Sequence, residues 1–289
     1  VITPDILLQL CVNGVLVGLT LALIASGLSL IYGVMNVVNF AHGEFLMLSM
    51  YVTFFLYARG GVDPLLALPL TVVLLFALGR LTYSALIRRV LRAPAHAQIF
   101  ATFGLMIALQ GAAQFAWGAD YHAIASSSVS SRIVLGRVII GVPQLAAGVG
   151  AAAGMVGLWL LLERTTLGRA LRATAQDRDA AALLGIDTDR LYGIAWGVGT
   201  ACVAVAGTLL STHYYVFPRV GSVFALVAFA TVALGGFGSV GGAFIAGIVI
   251  GLLEVTAGFF VSSVLKYVFV YAVYLLVVIV RPQGLLGRW

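Results

Sequence analysis

Two carboxylates, Glu44 and Glu254, stand in stretches of sequence that are otherwise apolar. An ionisable group in hydrocarbon is costly, so each is a candidate for work on an ion or a polar solute. Glu44 adjoins Asn36, Asn39 and His42, and Glu254 closes a glycine-interrupted run. The structural alternative is that carboxylates and amides of this kind accept backbone N–H bonds at helix ends, where the dipole also stabilises a negative charge. His42-Gly43-Glu44 places a histidine two residues from an acid. Two ligands without a third do not make a zinc site, and His96, His122 and His213 fall near different membrane faces, so no metal centre is expected. Lys266 is the sole lysine and follows VSSVL instead of a glycine-rich turn, which leaves no Walker-type phosphate loop. HExxH and GxSxG patterns are also missing. The chain alone is therefore not expected to hydrolyse ATP, and no nucleophile–base pair can be placed on one side of a membrane, which disfavours an intramembrane enzyme.

The elements that must position these groups are set by composition. With 62% hydrophobic and 9% charged residues and a mean hydropathy of +1.11, the chain lies far from the roughly 25% charged residues of soluble domains. It reads as an all-α integral membrane protein, one transmembrane domain over residues 1–289. The net charge of +6 is no nucleic-acid footprint, because the arginines lie between apolar spans and not on one basic domain. Cys11 and Cys202, each inside an apolar run, behave as small hydrophobes without a disulfide framework. The first span lacks a preceding basic segment and a small-residue cleavage site, and is read as a retained helix.

A bilayer-crossing helix needs about 20 apolar residues. Five stretches fit one crossing each: 45–58, 64–87, 97–117, 141–162 and 191–212. Ile6 to Gly43 contains no charge, yet is too long for one crossing and too short for two with a loop. A crossing plus a broken half-helix fits it, with Gly27, Gly33, Asn36, Asn39 and Gly43 supplying the break. Val220 to Leu253 repeats the pattern, with Gly235, Gly236 and Gly238 inside the GGFGSVGG run. Counting these segments gives about 8–9 transmembrane helices, with a broken or re-entrant glycine-rich piece in each half. Such paired interruptions occur where irregular backbone lines a transport path. Close helix packing through small residues is the competing reading.

The polar stretch Glu163–Arg190 interrupts this hydrocarbon. Leu167 and Leu171, then Ala180, Leu183 and Leu184, follow the spacing of one helix face, and Arg169, Arg172 and Arg178 occupy another. Gly185 can end that helix in the left-handed conformation, and Asp187 or Thr188 can cap the next. The stretch is either a docking helix for a soluble partner or a solvated loop held near the membrane by its arginines.

If 163–190 is cytoplasmic, strict alternation places Arg80, Arg88, Arg89, Arg92, Arg281 and Arg288 inside with it, and Arg59, Arg132, Arg137, Arg219 and Lys266 outside. Eleven basic residues against five obeys the positive-inside rule. The N-terminus is then outside and the C-terminus inside, with 118–140 as the main periplasmic loop. Weak alternation around Gly136 suggests a short surface hairpin there, and a serine-rich linker fits equally well.

YGVMNVVNFAHGEFLMLSMY (32–51), LGRALRATAQDRDAAALLGID (167–187) and ALGGFGSVGGAFIAGIVIGLLE (233–254) together resemble, in order and spacing, the LivH-type permease subunit of ATP-binding-cassette importers for branched-chain amino acids. The resemblance runs from about residue 6 to 286. It implies a bacterial inner-membrane complex in which this chain pairs with a LivM-type permease chain. Two cytoplasmic ATPase subunits would carry ATP and Mg, a periplasmic amino-acid-binding protein would deliver substrate, and this chain itself would hold no cofactor. Carried onto this sequence, Arg169, Arg172, Asp177, Asp179, Leu183, Leu184 and Gly185 match the ATPase-coupling segment, and Asn36, Asn39, His42 and Glu44 match a motif beside the translocation path. Similar permeases serve urea, amide and aromatic-acid importers, so the resemblance leaves the substrate open. A self-sufficient ion-coupled transporter or channel, using Glu44, His42 or Glu254, is the rival from another class.

Overall fold

A computed structural model describes residues 3–125, 131–136, 138–262 and 265–287. Arg137, Arg288 and the serine-rich 126–130, all used in the topological reading above, lie outside the described residues. The elements run α1 (Pro4–Met35), α2 (His42–Gly60), α3 (Pro64–Thr82), a π turn (Tyr83–Ile87), α4 (Arg88–Val90), α5 (Ala95–Trp117), β1 (Arg132–Leu135), β2 (Val138–Gly141), α6 (Val142–Arg164), α7 (Thr166–Gln176), α8 (Arg178–Leu183), α9 (Thr188–Leu210), α10 (Val220–Gly235), α11 (Val240–Phe260) and α12 (Lys266–Val280). The five single spans read from the sequence fall on α2, α3, α5, α6 and α9, each boundary within about five residues. Six helices are long and apolar enough to cross a bilayer, and Val220–Gly235 and Lys266–Val280 are shorter apolar helices. The hairpin reading of 132–141 is the one observed: β1 pairs antiparallel with β2, and Gly136 turns the chain at φ 63°.

The interior is organised around α1 and α9, the two most buried spans. Between lipid-soluble helices there is little hydrophobic gain on association, so close backbone approach through small residues does the work. Along the α1–α11 seam, Gly14 and Gly18 of one helix face Gly247 and Gly251 of the other, four residues apart in each case. A Cβ on Gly18 would sit 2.8 Å from the Ile248 Cα. Gly27, expected to break α1, instead packs inside a continuous helix, where a Cβ would sit 2.7 Å from the Gly199 carbonyl of α9. Gly33 and Gly43 are likewise helical and serve close contacts, with Gly238 and Gly221 respectively. The break is confined to 36–41, because there the Asn39 amide and Thr102 of a neighbouring helix supply hydrogen bonds, whereas Gly27 packs against α9 and Gly33 against the Gly238 turn.

Buried hydroxyls turn back onto backbone carbonyls. Thr200 Oγ1 donates to the Leu75 carbonyl of α3 (3.0 Å), and Thr53 Oγ1 lies 3.1 Å from Thr208 Oγ1 across α2 and α9. These contacts tie α2 and α3 to α9, whereas the buried Ser26, Ser29 and Tyr51 hydroxyls have no partner among the described residues.

Gly18→Leu is expected to destabilise the α1–α11 seam by about 1–3 kcal/mol or more, since a side chain there meets backbone that has no rotamer to yield. Recovery of folded protein after detergent extraction, against Leu19→Ala as a neighbouring control, checks this. For sidedness, Thr174 is unsuitable as a cysteine probe because it is buried. Gln176→Cys, at an exposed position and in a background lacking Cys11 and Cys202, is expected to react with impermeant thiol reagents from the cytoplasmic side only. Reaction from outside would invert the topology.

Candidate functional site

The first interruption begins where Asn36 takes the left-handed conformation (φ 56°), its N–H reaching the Tyr32 carbonyl at 2.7 Å. Asparagine tolerates that region better than most residues. The chain then folds back along α1 until the His42 Nε2–H donates to the Ile24 carbonyl (2.9 Å). Eleven helical residues from Ile24 to Met35 span about 16 Å, a distance that six nearly extended residues cover. α2 therefore starts deep beside α1, not at its end.

Inside the returning segment, Asn39 Oδ1 accepts the Ala41 N–H (3.1 Å) and Thr102 Oγ1 of α5 donates to the Val38 carbonyl (3.0 Å). Phe40 packs with Phe103 and Phe229, ring centroids 6.3 and 5.2 Å away. Asn39, His42 and Glu44 are fully buried, whereas Asn36 is exposed. As the cap of α1, Asn36 satisfies the turn through its main-chain N–H, with its side chain exposed.

Glu44 lies in the first turn of α2, and the first turn of α10 meets it there: Gly43 and Gly221 approach so closely that a Cβ on either would overlap the carbonyl of the other. Two helix N-termini thus converge on one carboxylate, an arrangement favourable to negative charge. Glu44 Oε1 accepts from Gln110 Nε2 of α5 (2.9 Å), and the same amide donates to Ser222 Oγ of α10 (2.7 Å). Glu44 Oε2, His42 Nδ1 and Asn39 Nδ2 have no hydrogen-bond partner among the described residues. The cluster therefore joins three helices while keeping spare donor and acceptor capacity, which suits reversible hydrogen bonding to a small polar solute.

The second interruption does not join this cluster. α10 ends at Gly235, and Gly236 (φ 100°) and Gly238 (φ 80°) make a turn open only to glycine-like backbone. Ser239 Oγ caps α11 by accepting the Gly242 N–H (3.1 Å). The C-terminal segment closes the exposed helix end, Leu285 N–H bonding the Leu234 carbonyl (2.8 Å) and Leu286 N–H the Gly235 carbonyl (3.0 Å). Gly235, Gly236 and Gly238 are thus gathered against Gly33 and the C-terminal segment, at the opposite end of α10 from Glu44. Glu254 pairs with Lys266, the sole lysine, across the turn joining α11 to α12. A structural role accounts for that carboxylate.

In the polar stretch, the single amphipathic helix expected from the sequence is two helices. Asp177 accepts N–H bonds from Asp179 and Ala180 (2.9 Å each), which starts α8 and ends α7. Gly185 does take the left-handed conformation (φ 81°), and Asp187 caps α9 through the Arg190 N–H (3.0 Å). The break divides the apolar residues: Leu171 is fully buried, while Leu183 and Leu184 are 89% and 81% exposed. Arg172 pairs with Glu163, Arg178 lies over the Tyr192 ring at 5.4 Å, and Arg169 and Asp179 are exposed.

Gln110, Ser222 and Thr102 were not singled out from the sequence. Gln110 carried a usable signal, since an amide near the middle of the 97–117 span must find a partner away from hydrocarbon. Ser222 and Thr102 carried none, because such residues bond their own helix as readily.

These features define a multi-pass, all-α membrane protein built around interrupted helices. A family model described as branched-chain amino acid transport system / permease component matches residues 10–278. The chain is 34% identical to the high-affinity branched-chain amino acid transport system permease protein BraD of Pseudomonas aeruginosa, over 97% of this chain and 96% of that one. It is 34% identical, with the same coverage, to the permease protein LivH of Escherichia coli K12. A probable LivH of Methanocaldococcus jannaschii is 31% identical over 84% of this chain and 78% of its own. No solved structure matches. The chain belongs to the branched-chain amino acid transport permease family.

Asn39→Leu, similar in size but unable to accept the Ala41 N–H, is expected to cost about 1–3 kcal/mol by leaving a buried donor unpaired. If Asn39 serves the break alone, folded protein falls. If it also lines the path, the fraction that folds shows reduced transport. A variant indifferent in both assays would remove Asn39 from either role.

Proposed function

We propose that this chain is the permease subunit of an ATP-driven importer that moves branched-chain or closely related amino acids across the inner membrane of a bacterium. The observation that carries the ATP-driven reading is the pair Leu183 and Leu184, two large apolar side chains on a capped short helix, presented away from the membrane helices. Exposed leucines on a polar segment suit a soluble partner's groove better than solvent. The family relationship supports two cytoplasmic ATPase subunits as that partner, each using ATP and Mg, with a LivM-type permease chain alongside and a periplasmic binding protein supplying substrate.

In this reading Leu171 anchors α7 to the membrane helices and α8 is the part the ATPase holds. Closure of the ATPase pair on ATP moves α7 and α8 as one lever and tilts the permease between inward-open and outward-open states. The returning segment 36–41 then lies against a water-filled path or a second permease chain, because irregular backbone is not tolerated against lipid. Asn39, His42 and Glu44, with Gln110 and Ser222, offer that path hydrogen-bonding groups, and Phe40, Phe103 and Phe229 offer apolar surface for an aliphatic side chain.

Leu183→Asp is expected to leave the membrane domain folded, since the position is exposed, and to weaken ATPase docking by about 1.5–3 kcal/mol of lost apolar burial, plus the cost of desolvating a carboxylate. Substrate-stimulated ATP hydrolysis by the purified complex should fall with normal recovery of this chain. Unchanged transport would take Leu183 out of the contact. Uptake by this chain alone in vesicles under an ion gradient would favour the self-sufficient transporter instead.

A further inference from the structure

α3 does not end as a regular helix: at Tyr83–Ile87 its hydrogen bonding widens into one π turn. Single π turns inside α-helices are uncommon and often mark functional sites, because they re-aim the side chains that follow. Here the turn carries α3 into α4 beside the start of α9, and a groove of about 610 Å³ lies between them. Arg80, Ser84 and Arg88 line one wall, and Asp187, Asp189 and Arg190 the other.

The charge in this groove is unevenly used. Asp189 is engaged twice, accepting from the Tyr83 hydroxyl (2.8 Å) and pairing with Arg88 Nε (3.1 Å). Asp187 is occupied as the cap of α9. Arg80 and Arg190 make no ion pair among the described residues. Gly193 keeps the groove open, since a Cβ there would stand 3.1 Å from the Tyr83 ring and 3.5 Å from Arg80 Nη1. Two guanidiniums without an ion pair therefore flank the N-terminus of α9, whose dipole is already met by the Asp187 cap and by Asp189 in its first turn.

The groove also continues into an apolar stripe. Leu70, Val73, Ala77 and Leu81 share the outward face of α3, and Leu70, Val73 and Leu81 are 48%, 64% and 61% exposed. This stripe runs from hydrocarbon depth to the arginines, at the helix end shared with the 163–190 segment. An anionic group with acyl chains attached fits both halves, whereas a free soluble anion would use only the arginines. We propose that the α3–α9 groove binds the headgroup of an anionic phospholipid, with Arg80 and Arg190 holding the phosphodiester and the acyl chains lying on the Leu70–Leu81 stripe. Basic pockets between membrane helices at the cytoplasmic interface have this lipid chemistry, and planar guanidiniums match phosphate oxygens in pairs. A lipid bound there would tie the ends of α3 and α9 together next to α8. The inference does not depend on the substrate or on the ATPase partners.

The purified chain in nanodiscs of phosphatidylcholine, with and without phosphatidylglycerol, tests it. Phosphatidylglycerol should raise the thermal unfolding midpoint by about 2–4 °C, the size of a modest linkage effect, and should remain bound in native mass spectrometry. Arg80→Gln/Arg190→Gln should abolish both effects while matching the unmodified chain in pure phosphatidylcholine. Arg89→Gln, an exposed arginine outside the groove at the same end, should retain them. If the double variant does not fold, Arg80→Gln alone should at least halve the shift. Equal responses in the groove variants and the unmodified chain would overturn the proposal, as would equal loss in Arg89→Gln, which would indicate general surface charge. Reproduction of the shift by inorganic phosphate in pure phosphatidylcholine would replace the lipid with a soluble anion, and a shift caused only by added partner chains would assign the groove to a protein contact.

Discussion

The constraint on which the rest of this structure depends is that a main-chain N–H or carbonyl in hydrocarbon must be paired within the protein. A chain of continuous helices meets it automatically. This chain departs from that solution twice, and each departure recruits particular groups. At 36–41 the pairing comes from the Asn36 backbone, the Asn39 amide and the Thr102 hydroxyl. At 235–239 it comes from Ser239 and from the chain's own C-terminal segment, which bonds the last carbonyls of α10. The polar residues near the breaks are thus bound first by backbone accounting. The atoms left over, such as Glu44 Oε2 and His42 Nδ1, have no hydrogen-bond partner among the described residues.

Close packing by glycine follows from the same solvent. Because lipid is as apolar as leucine, helices associate by fit and not by hiding apolar area. The α1–α11 seam and the Gly43–Gly221 contact show two uses of that fit. The first fixes a long interface, and the second lets the first turns of α2 and α10 meet. The convergence matters because it puts two helix N-termini and the Gln110 amide around Glu44, giving a buried carboxylate its stabilisation from dipoles and a neutral donor. Glu254 is handled in the other available way, by an opposite charge across a turn.

The polar segment is divided by the same kind of local bonding. Splitting it at Asp177 separates an anchored helix from a presented one, so that Leu171 belongs to the membrane domain while Leu183 and Leu184 face outward. The α3–α9 groove lies close to α8, since Arg178 stacks on Tyr192 within a turn of Asp189 and Arg190.

By itself the sequence determined what local chemistry and period determine. Apolar length gave the spans, glycine and aspartate gave the helix ends at Gly185 and Asp187, the lack of charge over 6–43 and 220–253 located both interruptions, and three ordered motifs gave the family. Those properties depend on residues near in the chain. What only the tertiary structure decided was everything fixed by depth and by neighbours distant in sequence. Gly27 and Gly33 could equally break a helix or admit a neighbour, and the approach of Gly199 and Gly238 chose the second. Asn36 and Asn39 look alike in sequence, yet one ends exposed and the other fully buried, because α5 covers only the later part of the returning segment. Gln110 meets Glu44 across 66 residues of sequence, and Ser222 meets Gln110 across 112. No periodicity records such a meeting, since it arises from where α2 begins in the bilayer, and that depth is set by a hydrogen bond from His42 to the middle of α1.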